Sequence, residues 1–443
     1  MKKLSNTQGI LSLSPMLVLV ILIVGFSLYY HDAYKVPVVI VFIITAIVSL
    51  LTLKNTPLSK RISIFSESAG QSDLMLMVWI FILAGAFASS AKAMGAVDAT
   101  VNLTLQILPA NMLLPGMFLA ACVISLSIGT SVGTIAALMP IAAEMSKTAG
   151  IDIAMLTAAT VGGAFFGDNL SFISDTTIVA TKTQGCAMRD KFRTNFMIAL
   201  PAAIITLIIY IICGTSQTVS PIAYSEISVI KIIPYLTVLV TAICGLNVMV
   251  ALPLGIILTG IIGILCNDYD FISWCNTMTQ GIFSMSETIL IAILAGGLFG
   301  VIRHSGGISW LIHKIINHTN NRKEAELAIA ALVSMTNICT ANNTVAILSV
   351  GTIAREISKK FNIAPRRAAS ILDTFSCFVQ GIIPYGAQLL IASGLAAIPA
   401  TSLMPYLYYP YLLGGAALAA IVLFKHKEFI PPSHTYKANN SVR

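Results

Sequence analysis

Along this chain, long apolar stretches are separated by short polar ones. Within each stretch the apolar residues run continuously instead of alternating in polarity, which predicts membrane helices of about 20 residues and not barrel strands. Ten such stretches predict spans: 14–30, 36–53, 73–91, 153–181 and 192–213, then 229–245, 247–266, 285–302, 367–395 and 406–424. Stretches 112–147 and 325–358 fit poorly as single spans. Each consists of two arms of roughly 14–16 residues, too short to cross, around the polar tips SIGTSVGT (127–134) and CTANNT (339–344). A short arm, a polar tip and a short return arm predict a re-entrant hairpin, whose irregular backbone survives at membrane depth only when buried in protein or lining water. Segments 93–110 and 303–322 read either as helices along the membrane interface or as plain connections. Segments 59–72 and 270–284 occupy matching places.

The two halves repeat. ILAGAF (82–87) recurs as ILAGGL (293–298), TIAAL (134–138) as TVAIL (344–348), and EMSK (144–147) as EISK (356–359). Each half, 1–215 and 225–425, holds five spans and one hairpin. A hairpin returns to its own side, so five crossings invert the second half relative to the first. Inverted repeats with interrupted helices are the mark of secondary transporters. The expected fold is therefore an all-α polytopic membrane protein of two inverted repeats, followed by a cytoplasmic tail, 426–443.

Composition agrees. The chain is 57% hydrophobic and 10% charged, with mean hydropathy +0.88, against about 25% charged residues in soluble domains. Such a chain is neither a soluble enzyme nor a disordered segment, and nucleic acid is not an expected partner; the lipid bilayer is. With both termini inside, 22 of the 26 Lys and Arg residues, Lys191 and Arg367 among them, fall on the cytoplasmic side, leaving Lys35, Lys92, Lys147 and Lys231 outside. That asymmetry fits a multi-pass protein of a bacterial-type inner membrane. The eight cysteines form no CxxC, and no Ser/His or HExxH arrangement occurs, so neither a cofactor nor an enzymatic reaction is expected.

Acids within spans are costly and mark candidate sites. The stretch VGGAFFGDNLSFISDTT (161–177) places Asp168 and Asp175 in one span. Gly162, Gly163 and Gly167 weaken the helix there, while Asn169, Ser171 and Ser174 compete for its backbone. Unwound carbonyls, the Asp168 carboxylate and neighbouring hydroxyls are the hard oxygen ligands that sodium prefers. A buried carboxylate offsets its desolvation by taking a proton or holding a cation; one site that does either, and cannot cross empty, exchanges them. Asp175 lies two turns from Asp168 if the helix continues. The second half supplies SILDTFSCFVQGIIPYGAQ (370–388), where Gln380 stands opposite Asp168, Pro384 breaks the helix, and Asp373 and Gln388 are candidates. No lysine or arginine is expected deep enough to neutralise these acids. The tips add Ser127, Thr130, Ser131 and Thr134, and Thr340, Asn342, Asn343 and Thr344; simple capping is their other reading. Glu287 is a weaker candidate near a span end.

At GDNLSFISDTT (167–177) the sequence resembles the NhaC-type sodium/proton antiporter family, whose pattern runs Gly-Asp, then Ser, then Ser-Asp-Thr-Thr. The resemblance extends through both hairpins and PYGAQ (384–388). It implies membership of the ion-transporter superfamily, with a scaffold domain, a transport domain of hairpins and broken helices and elevator-type movement, and makes Asp168, Asn169, Ser171, Ser174, Asp175 and Thr176 the motif positions. The function expected is exchange of sodium or lithium for protons, with sodium at Asp168. The alternative is a sodium- or proton-coupled carrier of an organic acid or amino acid, in which Asn342, Asn343, Thr344 and Gln388 face the solute. Elevator carriers of this kind are often homodimers.

Overall fold

The computed structural model describes residues 5–30, 38–53, 56–107, 109–171, 174–215, 228–244, 246–316 and 321–423. The expected tail 426–443 lies outside them. The described residues form helices and no strands. The first half contains α1 (Asn6–Tyr30), α2 (Val38–Thr52), α3 (Leu58–Ala69), α4 (Ser72–Ala93), α5 (Ala96–Ile107), α6 (Leu113–Ile128), α7 (Ser131–Ala149), α8 (Ile153–Leu170), α9 (Asp175–Gln184) and α10 (Met188–Thr215). The second contains α11 (Val229–Ile243), α12 (Val248–Leu265), α13 (Phe271–Ser284), α14 (Ser286–His304), α15 (Gly307–Ile316), α16 (Arg322–Thr340), α17 (Asn343–Lys360), α18 (Pro365–Gln380), α19 (Ala387–Ala396) and α20 (Tyr408–Val422). The segments left open between helix and connection are thus helices α5 and α15.

By length and composition, Leu74–Ala93, Met188–Thr215, Val248–Leu265 and Ser286–His304 can each cross a membrane. Helices α2, α11 and α20 are shorter and apolar, and α19 bends by 104° into the 3-10 turn Ala400–Tyr406. Among the described residues fewer helices are long and apolar enough to span than the ten expected; the remaining crossings would combine short or broken helices. Ile204, Ile205, Ile208 and Ile212 form an exposed apolar stripe on α10, the spacing of one helix face. A chain with such faces is a multi-pass membrane protein.

The order of elements in α1–α10 returns in α11–α20, down to single turns. The left-handed residues Gly129, Gly150 and Gly185 each have a left-handed partner 212 residues on, in Ala341, Asn362 and Ala397. The packing is reciprocal as well: α3 lies on α14 and α13 on α4, while α7 lies on α19 and α17 on α9. Where the first half uses glycine, the second uses Asn362, which tolerates the turn, and Ala341 and Ala397, for which it costs about 1–2 kcal/mol. Ala397→Gly is expected to raise stability by roughly 0.5–1 kcal/mol once the freer unfolded chain is allowed for, seen as a higher melting temperature in detergent. An unchanged or lower temperature would contradict this account of the turn.

The expected unwinding at Gly162, Gly163 and Gly167 does not occur. Helix α8 runs through all three and ends only at Leu170. Gly163 and Gly167 let α6 approach: a Cβ at Gly163 would strike the Phe118 carbonyl oxygen, and one at Gly167 would strike Ser125, while Gly162 faces Tyr409 of α20. Close backbone packing, not low helix propensity, accounts for them.

Candidate functional site

The hairpin tips α6–α7 and α16–α17 meet the ends of α8 and α18 inside the protein. Asp168, in the last turn of α8, is 5% exposed. Its Oδ1 accepts from Ser174 Oγ at 2.6 Å, just before α9. Its Oδ2 accepts from Ser131 Oγ at 2.9 Å and from Asn343 Nδ2 at 3.4 Å, one residue from each hairpin. Ser131 and Asn343 are 212 positions apart, so corresponding residues of the two halves grip the same carboxylate. No ion pair to Asp168 is found among the described residues. The negative end of the α8 dipole lies here, which favours a cation beside the carboxylate.

A chain of donors leads toward Asp168. Gln380 Nε2 donates to the Ala341 carbonyl at 3.0 Å and to Gln388 Oε1 at 2.9 Å. Gln388 Nε2 donates to Ser131 Oγ at 3.0 Å, and Ser131 donates onward to Asp168. Thr176 Oγ1 lies 2.9 Å from Ser174 Oγ, and Ser171 Oγ donates to the Leu126 carbonyl at 3.0 Å, tying the end of α8 to its hairpin. Neutral amides and hydroxyls therefore surround one carboxylate, an arrangement suited to a hard monovalent cation or a proton.

Other expected residues do not join this cluster. Asp175 opens α9 with its side chain exposed, because the helix ends between it and Asp168 and the two-turn register is lost. Ser127 and Thr134 bond carbonyls within their own hairpin. Thr130 precedes α7 without capping it through its side chain. Thr340 bonds the Asn342 carbonyl, and Asn342 caps α17 through Val345. The Thr344 amide donates to the Asn343 side chain. Of these tip residues only Asn342 caps a helix through its side chain; the others bond within their own hairpin or do not cap. Glu287 is exposed in the first turn of α14.

The expectation that no lysine reaches the buried acids is wrong. Lys191, in the first turn of α10, is 1% exposed, and its Nζ lies 2.6 Å from Oδ2 of the fully buried Asp373. The same Nζ donates to the Asn169 carbonyl at 2.6 Å and to Thr177 Oγ1 at 2.7 Å. Asp373 Oδ2 also accepts from Asn169 Nδ2 at 3.0 Å and Asn195 Nδ2 at 2.9 Å. A lysine at a span end normally reaches for water; here a carboxylate from the other half draws it inward. Asn195 was missed too, although a polar residue four positions after Lys191, on the same helix face, was a visible signal. Arg367, also counted as cytoplasmic, is buried against Glu326 at 3.1 Å.

Two cavities flank this region. One of about 370 Å³ is lined by Glu287, Thr288 and Ser284, with Ser393 and the turn 397–401. The other, about 70 Å³, is lined by Arg303, Gln71, Thr340 and Asn342. Tyr385, in the break between α18 and α19, lines both. Its ring packs against Phe42 and Phe299, and its hydroxyl donates to the Ile338 carbonyl at 3.0 Å.

A family model described as the Na+/H+ antiporter family matches residues 3–215 and again 215–426. The Na+/H+ antiporter NhaC of Alkalihalophilus pseudofirmus is 25% identical over 64% of this chain and 67% of its own. The Bacillus subtilis protein of the same name is 22% identical over 77% of this chain and 82% of its own. A malate-2H+/Na+-lactate antiporter of Bacillus subtilis is 18% identical over 79% and 81%.

Proposed function

Because the chain belongs to the Na+/H+ antiporter family, we propose that it exchanges sodium, or lithium, for protons at Asp168 by alternating access. The observation that carries this reading is the buried Asp168 carboxylate, gripped by both hairpins and by the residue before α9, with hydroxyl and amide partners and no cationic side chain paired with it among the described residues. A lone charge at membrane depth costs several kcal/mol. It is neutralised by a sodium ion or by a proton, and either form can move where the empty one cannot. The two ions therefore travel in opposite directions through one site.

The reciprocal packing supports a pseudo-two-fold relation of the halves. With an odd number of crossings in each, that relation is an inversion, the architecture in which a transport part moves against a scaffold. In this reading α6–α10 and α16–α20 form the moving part, and α4 and α14 belong to the scaffold. Both termini face the cytoplasm of a bacterial inner membrane, and the protein is a homodimer through its scaffold.

A second reading, a cation-coupled solute carrier, draws on the larger cavity, whose volume is within the range of small-molecule sites. Among the described residues its one charged lining side chain is Glu287, which favours a cationic or zwitterionic solute over a dicarboxylate. Purified protein in vesicles with a trapped pH dye separates the readings. A sodium or lithium pulse should move protons without any solute, and potassium should not. Proton movement that requires an added organic acid or amino acid would replace the first reading with the second.

A further inference from the structure

The two buried acids do not meet the same fate. Asp168 faces neutral donors, whereas Asp373 is held by an ammonium group whose three N–H donors are all accounted for: the Asp373 carboxylate, the Asn169 carbonyl and the Thr177 hydroxyl. Those three oxygens, one carboxylate, one carbonyl and one hydroxyl, are themselves the ligand types of a sodium site. Asn169 joins the two halves of the cluster. It follows Asp168 in sequence, and its side chain donates to Asp373 while its carbonyl accepts from Lys191.

We propose that the Lys191 ammonium is a tethered cation occupying a latent second sodium site at Asp373, so that each cycle carries a single exchangeable cation, at Asp168. The inference rests on the antiport reading and specifies its stoichiometry. Two buried carboxylates and one lysine leave one negative charge to be neutralised, and one mobile cation does so. The tether also moves with the site. Helix α10 packs on α6, α8 and α18, the elements that carry Ser125, Asp168 and Asp373, so movement of these helices together leaves the pair intact. The stem of Lys191 lies inside the protein, and its ammonium closes the C-terminal carbonyl that the end of α8 leaves open. Without that ammonium the cluster carries two negative charges and an oxygen cage of the right chemistry to hold a second ion.

The test counts sodium. Equilibrium binding of radioactive sodium to the purified full-length protein is expected to give one ion per chain for the wild type and two for Lys191→Ala. The double variant Lys191→Ala/Asp373→Asn, which removes both charges, is expected to return to one. In vesicles, the sodium dependence of proton movement should change from hyperbolic in the wild type to sigmoidal in Lys191→Ala. Methylammonium, a free copy of the missing group, should compete for the second sodium in Lys191→Ala and leave wild-type binding unchanged. A purely structural lysine predicts none of these shifts. One sodium in Lys191→Ala, or a second sodium that persists in the double variant, overturns the proposal. If Lys191→Ala does not fold, Lys191→Gln, which keeps a polar side chain beside Asp373 without its charge, takes its place: two bound sodium ions sustain the proposal and one overturns it. A wild type that neither binds sodium nor moves protons overturns the antiport reading itself.

Discussion

Asp168→Asn is expected to reduce sodium-driven proton movement to the level of protein-free vesicles while the protein still folds and inserts. The amide is the same size as the carboxyl group. Its oxygen can keep the bonds from Ser131 and Asn343, and the Ser174 hydroxyl can turn to accept from its nitrogen. What disappears is the negative charge. Removing one partner of a buried charge pair costs about 3–5 kcal/mol, which is more than two powers of ten in cation affinity. The amide also releases no proton, so both halves of the exchange stop together. The measurement is dye fluorescence after a sodium pulse, alongside gel filtration to confirm folding. Wild-type exchange in folded Asp168→Asn protein would remove Asp168 from the mechanism.

Gly163→Val is the second large effect, and it acts on folding. Helices α6 and α8 touch backbone to backbone at Gly163, where any Cβ meets the Phe118 carbonyl oxygen, the Ala121 methyl group and the Cys122 amide nitrogen. Two of these three are main-chain atoms and cannot swing aside. Overpacking costs about 1–3 kcal/mol where side chains can adjust, and more is expected here, so most of the protein should be lost from the monodisperse gel-filtration peak. Gly415→Ala is the control. It sits in α20 with nothing within 4 Å of its added methyl group, and as a helix-interior change it should leave yield intact or improve it. Equal yields for the two variants would mean that α6 and α8 are not packed this closely.

The helix pairs α6–α7 and α16–α17, the breaks after α8 and α18, and the burial of Asp168 were legible in the sequence because each follows from a local rule. A polar tip between two apolar arms marks a turn, and an acid in an apolar run needs a reason. The misreadings came where two distant segments decide together. Gly162, Gly163 and Gly167 look like helix breakers until α6 is placed against them. Asp175 looks two turns from Asp168 only while the helix is assumed to continue. Lys191 looks like a cytoplasmic anchor because nothing nearby in sequence reveals Asp373, a partner 182 positions away in the other half. Asn195 gave the only local warning, a lone amide at the start of an apolar span.

Tyr385 has a mechanical consequence. One ring forms part of the wall of two hollows, so enlarging one pushes that shared wall toward the other. Under the proposed alternating access, that shared wall would couple the two hollows as a see-saw pivoting on an aromatic group. A continuous pore would require the ring to leave its place between Phe42 and Phe299 and abandon its bond to Ile338.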